Sequence, residues 1–236
     1  MQSTEQPPVW RTVWPGALLI LLGTAGFFGL LDAVTEQDDL FVVDSPVLEW
    51  LAENRTPAMT DVMTVVTNAF GPLVLPIVVL AVSLLYAWRT GSWWDPAMLT
   101  GAMILASGLS VVLKLLVGRP RPPDEYMSVP GFETSFSFPS GHTIGASTLV
   151  LVAGYLIWHR RHGGVRLALW AVASVVIIGL VGGSRLYLGY HFVTDVLAGI
   201  CVSVVVLGVV VIVTRLHDRA QAADVSPPDP GQPGPR

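Results

Sequence analysis

Six apolar runs of roughly bilayer-crossing length constrain this chain more than any other feature. They are Gly16–Val34, Val62–Trp88, Ala97–Val117, Thr143–Trp158, Leu167–Gly183 and Val193–Thr214. A helix crosses the hydrocarbon core with about 20 mostly apolar residues, so each run reads as a spanning helix. Only 13% of the 236 residues are charged and 52% are hydrophobic, whereas a soluble domain carries about 25% charge. The expectation is an all-α polytopic membrane protein with six transmembrane helices in a bundle, no soluble domain and no clear internal repeat. The single cysteine, Cys201, lies inside an apolar run. It leaves no partner for an intrachain disulfide and excludes a cysteine-rich metal site.

The first run follows "WRTVWPG" and is long for a signal-peptide core, with no small-x-small cleavage site before the acidic stretch that follows. It is read as a retained helix rather than a cleaved leader. In the second run, "FGPLVLPIVVL" places Gly71, Pro72 and Pro76 where they predict a kink or a break. The stretch "SPVLEWLAENR" sets Val47, Leu48, Trp50 and Leu51 among acidic residues, a pattern suited to an interfacial helix and equally to a plain surface helix. Residues 1–219 read as one transmembrane domain. The Pro-, Gly- and Asp-rich residues 220–236 read as a disordered cytoplasmic tail. "GLVGGS" predicts close helix packing, within or between chains.

Charge placement sets the expected orientation in the cell membrane. With six crossings, Arg11, Arg89, Arg160, Arg161, Arg166, Arg215 and Arg219 share one side, which the positive-inside bias makes cytoplasmic together with both termini. Glu36, Asp38, Asp39, Asp44, Glu49 and Glu53 fall in the first outer loop, with Arg55 as its only base. Lys114, Arg119, Arg121 and Arg185 break this rule. They lie at the outer side, and Lys114 is the only lysine in the chain. Cations at such positions are costly and usually functional. Snorkelling to lipid head groups accounts for one of them, but not for the histidines beside them.

Three outer segments carry those groups: "KLLVGRPRP" from Lys114, "PSGH" from Pro139, and "SRLYLGYHFVTD" from Ser184. Ser140 is an N-cap candidate for the helix beginning near Thr143. A helix start offers unpaired N–H groups to an anion, and Gly141 lets that anion approach the backbone. By itself "PSGH" reads equally as a capped helix with an incidental His142. His191 and Asp195 are four apart and share a face if the helix has already begun, so the carboxylate can fix one imidazole nitrogen and leave the other free. Metal binding is the competing reading of that pair. Lys114, Arg121 and Arg185 nearby would repel a divalent cation, and they favour a multi-oxygen anion such as phosphate.

Lys114 followed after six residues by Arg121-Pro122, then Pro139-Ser140-Gly141-His142, then Ser184-Arg185 followed after five residues by His191 and after three more by Asp195, together resemble the tripartite signature of the type 2 phosphatidic acid phosphatase (PAP2) superfamily. The resemblance covers Lys114 to Asp195, and the six-span layout is similar to the family's membrane branch. It implies a PAP2/acid phosphatase-like core and a hydrolase that needs no metal or other cofactor. His191 would be the nucleophile forming a phosphohistidine, with Asp195 orienting it. His142 would act as acid and then base. Lys114, Arg121, Arg185, Ser140 and Gly141 would bind the phosphoryl group. Arg119 would touch the second phosphate of a diphosphate or face lipid head groups. The implied partners are membrane lipids and a lipid phosphate or diphosphate substrate (a polyprenyl diphosphate such as undecaprenyl diphosphate, phosphatidic acid or phosphatidylglycerol phosphate), with no nucleic acid. A lipid phosphotransferase using the same intermediate is the alternative. A non-catalytic lipid-phosphate binder would be expected to lack one of the two histidines, and both are present.

Overall fold

Residues 8–36, 41–129 and 133–225 are described in the computed structural model. The expected Asp38 and Asp39 of the acidic loop lie outside them. Eight α-helices follow in order: α1 Val9–Glu36, α2 Asp44–Glu53, α3 Pro57–Ala69, α4 Val74–Thr90, α5 Trp94–Val117, α6 Gly141–Arg160, α7 Gly164–Tyr187 and α8 Val193–Val225. Five of them (α1, α5, α6, α7 and α8) are long and apolar enough to cross a bilayer, and α3 with α4, bent by 50° at a short break, makes six if the pair is one span. The bend falls at Phe70–Leu73, where the Gly71-Pro72 pair interrupts the helical ladder. The expected break is therefore present.

Helices α6 and α8 lie at the centre of the bundle. Half of the apolar window of α6 and of α8 is buried inside the protein, against 11% for α7, whose remaining surface is left to lipid. Phe27 and Leu30 of α1, Ala102 and Ala106 of α5, Ile144 and Val152 of α6, and Val202 and Val206 of α8 share one apolar core with Phe138. Close approach of α1 and α8 depends on paired glycines. A Cβ on Gly16 would lie 2.5 Å from the carbonyl oxygen of Gly208, and one on Gly208 would lie 2.6 Å from that of Gly16. In membranes, where apolar burial between helices gives little driving force, such small residues supply the packing. In the "GLVGGS" stretch the close neighbour of Gly182 is Val196 of the same chain.

The antiparallel alternation of helices brings four termini to one end: the end of α5, the start of α6, the end of α7 and the start of α8. These are the places where the three sequence motifs lie. At the other end, Arg160 pairs with both oxygens of Asp95 at 2.9–3.2 Å, and His159 meets Asp218 at 2.5 Å. The final helix runs past its expected end. Residues 220–225, read from sequence as the beginning of a disordered tail, continue α8, because "RAQAAD" holds good helix formers and the first proline comes only at Pro227. Residues 226–236 lie outside the described residues. The "SPVLEWLAENR" stretch forms α2, with Leu48 buried and Trp50 exposed.

Candidate active site

Helix α5 ends at Gly118, whose N–H closes on the carbonyl of Lys114. That leaves the lysine in the last turn, with its ammonium donating to the carbonyl of Phe136 and, at 3.4 Å, to that of Ser137. The chain then passes Arg119 and Arg121 and returns through a cis Phe138–Pro139 peptide to Ser140 and α6. The Ser140 N–H bonds the Asp195 carbonyl at 3.0 Å, which ties the start of α6 to the start of α8. Ser140 is the N-cap by position, but its side chain does not cap the helix; its buried hydroxyl accepts from Thr143 at 3.0 Å. The first-turn N–H groups of α6 therefore keep no side-chain cap. The Cβ position of Gly141 lies 3.9 Å from Cε of Lys114, so that end of the helix borders the lysine.

His191 is held from both sides. Helix α8 begins at Val193, so His191 sits in the turn before it rather than on its face, as the i,i+4 spacing alone suggested. Asp195, in the first turn, reaches back instead. Its Oδ2 accepts from the Phe192 N–H at 2.9 Å and lies 3.2 Å from Nδ1 of His191. Ser137 donates to the same oxygen and lies 3.3 Å from the same Nδ1. On the far side of the ring, Arg121 approaches Nε2 at 3.3 Å. A guanidinium can only donate, so Nε2 is the acceptor and the ring proton is on Nδ1, facing Asp195. This is the tautomer a nitrogen nucleophile requires.

The turn leading to His191 is fixed by Gly189, which has φ of 76° and a Cβ position 1.9 Å from the Tyr126 carbonyl oxygen. Only glycine fits there. The Tyr126 carbonyl in turn accepts from Arg55, which also donates to the Tyr187 carbonyl at 2.7 Å.

Arg121 and Arg185 form a cradle, and a carboxylate already lies in it. Glu133 takes the Arg121 guanidinium at 3.0 Å on Oε2 and that of Arg185 on Oε1. Arg185 is fully buried, donates to Thr67 at 2.8 Å and lies 4.6 Å from the Tyr190 ring centre. Among the described residues its Nε has no acceptor, an unused donor beside the Glu133 carboxylate. Burial would raise the Glu133 carboxyl, but Arg185 and Arg121 outweigh it and hold the group below the usual carboxylate range. His142 makes no hydrogen bond among the described residues and feels the charges of Arg185, Glu133, Arg121 and Lys114. The same cations act on His191. The structure thus brings Lys114, Arg121, His142, Arg185, His191 and Asp195 to one place.

Burial, followed by the charges of Arg185, Arg121 and Lys114, holds the His191 imidazole well below the ordinary value of 6.5. The folded protein therefore keeps this ring neutral where the unfolded chain would take up a proton. Its contribution to stability is complete above pH about 6.5 and falls as the pH drops below it. A ring-nitrogen NMR titration from pH 8 to pH 5.5, with the His191 signal assigned by its loss in His191→Ala, is expected to show no protonation step near 6.5. A midpoint at the ordinary value would contradict this environment.

Arg119, expected at a second phosphate or at lipid head groups, is 7% exposed with its guanidinium turned inward. One nitrogen donates to Asp44 at 2.8 Å and the other to Asp195 at 2.6 Å. Two buried carboxylates draw it inward, where the pairing offsets the desolvation of all three groups. Sequence reasoning also missed Ser137, Glu133, Thr67 and Asp44. Among the described residues no group of three or more His, Cys, Asp and Glu side chains is arranged to hold a metal ion.

A family model described as the PAP2 superfamily matches residues 96–219. The chain is 32% identical over 179 residues to phosphatidylglycerophosphatase B of Bacillus subtilis (strain 168), covering 73% of this chain and 84% of the relative. It is 41% identical over 71 residues to the Escherichia coli (strain K12) protein of the same name, covering 30% of this chain and 26% of that relative. Among solved structures, a transmembrane PAP2-type phosphatidylglycerolphosphate phosphatase from Bacillus subtilis superposes with a TM-score of 0.71 at 26% identity, over 91% of this chain and 98% of that one. LpxE of Aquifex aeolicus shares the fold at a TM-score of 0.54 and 22% identity, over 72% and 94% of the two chains. With the signature side chains gathered at one end of a matching helix bundle, the chain belongs to the PAP2 superfamily of membrane-associated lipid phosphatases.

Proposed function

We propose that this protein hydrolyses the terminal phosphate of a lipid phosphate or diphosphate through a phosphohistidine on His191. The observation that carries the reading is the Glu133 carboxylate between Arg121 and Arg185, beside the unprotonated Nε2 of His191. It occupies the space a phosphoryl group needs, with oxygens on the two guanidiniums that would grip phosphate oxygens. Substrate would displace it, and its repulsion of an incoming phosphate would end once it swings away.

Nε2 attacks phosphorus in line, the N–P bond forms and the bond to the lipid oxygen breaks. His142 gives that oxygen its proton, then takes one from the water that attacks phosphorus. The N–P bond breaks and inorganic phosphate leaves. Negative charge spreads over the equatorial oxygens in the transition state, so Lys114, Arg121, Arg185 and the first-turn N–H groups of α6 bind it more strongly than the ground state. Asp195 stabilises the imidazolium-like ring while phosphorus is attached. Three cations and the first-turn N–H groups of α6 perform here the charge neutralisation that other phosphoryl-transfer sites assign to a metal ion.

The reading places this end of the bundle on the extracytoplasmic side and both termini in the cytoplasm. Its support is that Arg11, Arg89, Arg160, Arg161, Arg166, Arg215 and Arg219 fall on the opposite side in the six-span reading. A head group then reaches the site while its tails stay in the bilayer. Similarity to the Bacillus subtilis relative, whose name records phosphatidylglycerophosphatase activity, puts phosphatidylglycerol phosphate first among the candidates, ahead of phosphatidic acid and polyprenyl diphosphates.

Purified protein in detergent, given these three lipids with excess chelator, is expected to release inorganic phosphate at a rate the chelator leaves unchanged, fastest from phosphatidylglycerol phosphate. Loss of activity on chelation would overturn the metal-free mechanism. Head-group transfer without phosphate release would make the protein a transferase.

A further inference from the structure

We infer that Asp44, at the start of the surface helix α2, is a positioning residue for the His191–Asp195 pair and acts through Arg119. The inference rests on the catalytic reading above, which gives that pair its role.

Asp44 is 1% exposed and lies 150 positions from Thr194 in sequence, yet among the described residues its carboxylate bonds Thr194 at the entry of α8 and Arg119. Its Oδ1 accepts from the Thr194 N–H at 3.0 Å. Its Oδ2 accepts from the Thr194 hydroxyl at 2.6 Å and from Arg119 at 2.8 Å. The other Arg119 nitrogen donates to Oδ1 of Asp195 at 2.6 Å and to the Thr194 hydroxyl at 2.7 Å, and the guanidinium lies 4.2 Å from the Phe192 ring centre. The two Asp195 oxygens are thereby divided. Oδ1 belongs to Arg119, while Oδ2 is left for His191, Ser137 and the Phe192 N–H. Rotation of the carboxylate would break contacts on both sides.

Charge makes the same point as geometry. Arg119 alone would cancel Asp195, leaving nothing to stabilise the ring when it becomes cationic during phosphoryl transfer. With Asp44, the described residues set two carboxylates on the Arg119 guanidinium, which leaves an excess of negative charge beside the imidazolium. Interactions of this kind are strong where water is excluded. Among the described residues the Asp44 carboxylate bonds Arg119 and Thr194 and none of the proposed phosphate-binding groups, so its removal should affect the chemical step rather than binding.

Asp44→Asn keeps the shape and the acceptor for the Thr194 N–H but removes the charge. On whichever panel lipid the wild type turns over fastest, kcat is expected to fall about 10- to 100-fold, with KM within about twofold. The His191 ring-nitrogen spectrum should lose its single Nδ1–H tautomer. Asp44→Glu, which restores charge in a poorer shape, should recover part of kcat. A simple staple between α2 and α8 predicts the reverse order, with Asn milder than Glu and the ring spectrum unchanged, and that result overturns the inference. Should Asp44→Asn not fold, Asp44→Asn/Arg119→Gln removes both partners of the buried pair together. It should fold and match Arg119→Gln in kcat and ring spectrum; a further tenfold loss would show that Asp44 does not act through Arg119. If the wild type hydrolyses no lipid phosphate, the proposed function fails. The ring spectrum, which needs no substrate, still decides the role of Asp44.

Discussion

His191→Ala is expected to reduce turnover by at least about 10³- to 10⁴-fold, the scale of loss when a nucleophile acting within a catalytic unit is removed. His142 is the other imidazole at this end, but among the described residues only His191 is oriented by a carboxylate. His191 is 1% exposed, its Nδ1 faces Asp195 and Ser137, and its Nε2 opens toward Arg121 and the carboxylate of Glu133. Truncation leaves a small polar cavity that water can fill, so the helix bundle should persist, checked by size exclusion and circular dichroism. The decisive measurement uses lipid labelled in its terminal phosphate. Acid-labile, base-stable label on the quenched protein should be found in the wild type and be absent from His191→Ala. His142→Ala should instead slow both steps, and with a diphosphate, whose leaving group needs little protonation, label should accumulate because water is no longer activated. His191→Ala protein that retains near-normal turnover, or that still takes up label, removes the nucleophile assigned here.

The division between what sequence revealed and what it hid follows the range of the interactions concerned. Spanning helices are written locally, as length and apolarity, and the Gly71-Pro72 break is likewise a local backbone effect. The motif residues were legible because cations and histidines are conspicuous at the ends of apolar helices. Their gathering then follows from antiparallel packing alone. Glu133 and Asp44 were not legible in the same way. Each is one acid among several in a polar connection, and what distinguishes it is a guanidinium 52 or 75 positions away in sequence. Ser137 looked like any serine ahead of "PSGH", although an acid and a serine shortly before that motif, facing clustered arginines, were the available signal. Arg119 was misjudged because net charge at a membrane rim suggests lipid or phosphate, whereas burial between two carboxylates depends on tertiary structure. The His191–Asp195 spacing predicted the right contact for a different reason: the carboxylate reaches back across the helix start instead of along a helical face.

Arg185→Ala is the second large effect, a loss of about 10²- to 10³-fold in kcat, the usual consequence of removing one preorganised donor from a developing oxyanion. Arg185 sits at the end of α7 with no exposure, one nitrogen on Thr67, another on Glu133 and its Nε unpaired. A planar fork held so firmly is already oriented for phosphate oxygens, and the unused Nε is a donor that only an incoming anion would satisfy. Arg185→Lys should recover little of the loss, because one ammonium cannot serve Thr67 and a phosphoryl oxygen from the same fixed position. Removal of the guanidinium also leaves Glu133 leaning on Arg121 alone and brings its negative charge into the path of the substrate. Arg185→Ala/Glu133→Gln should therefore regain about 3- to 10-fold over Arg185→Ala, with inhibition by orthovanadate weakened in both. An Arg185→Ala protein with kcat and vanadate inhibition within about threefold of wild type would show that the cradle around Glu133 is an internal ion pair and not the phosphate site.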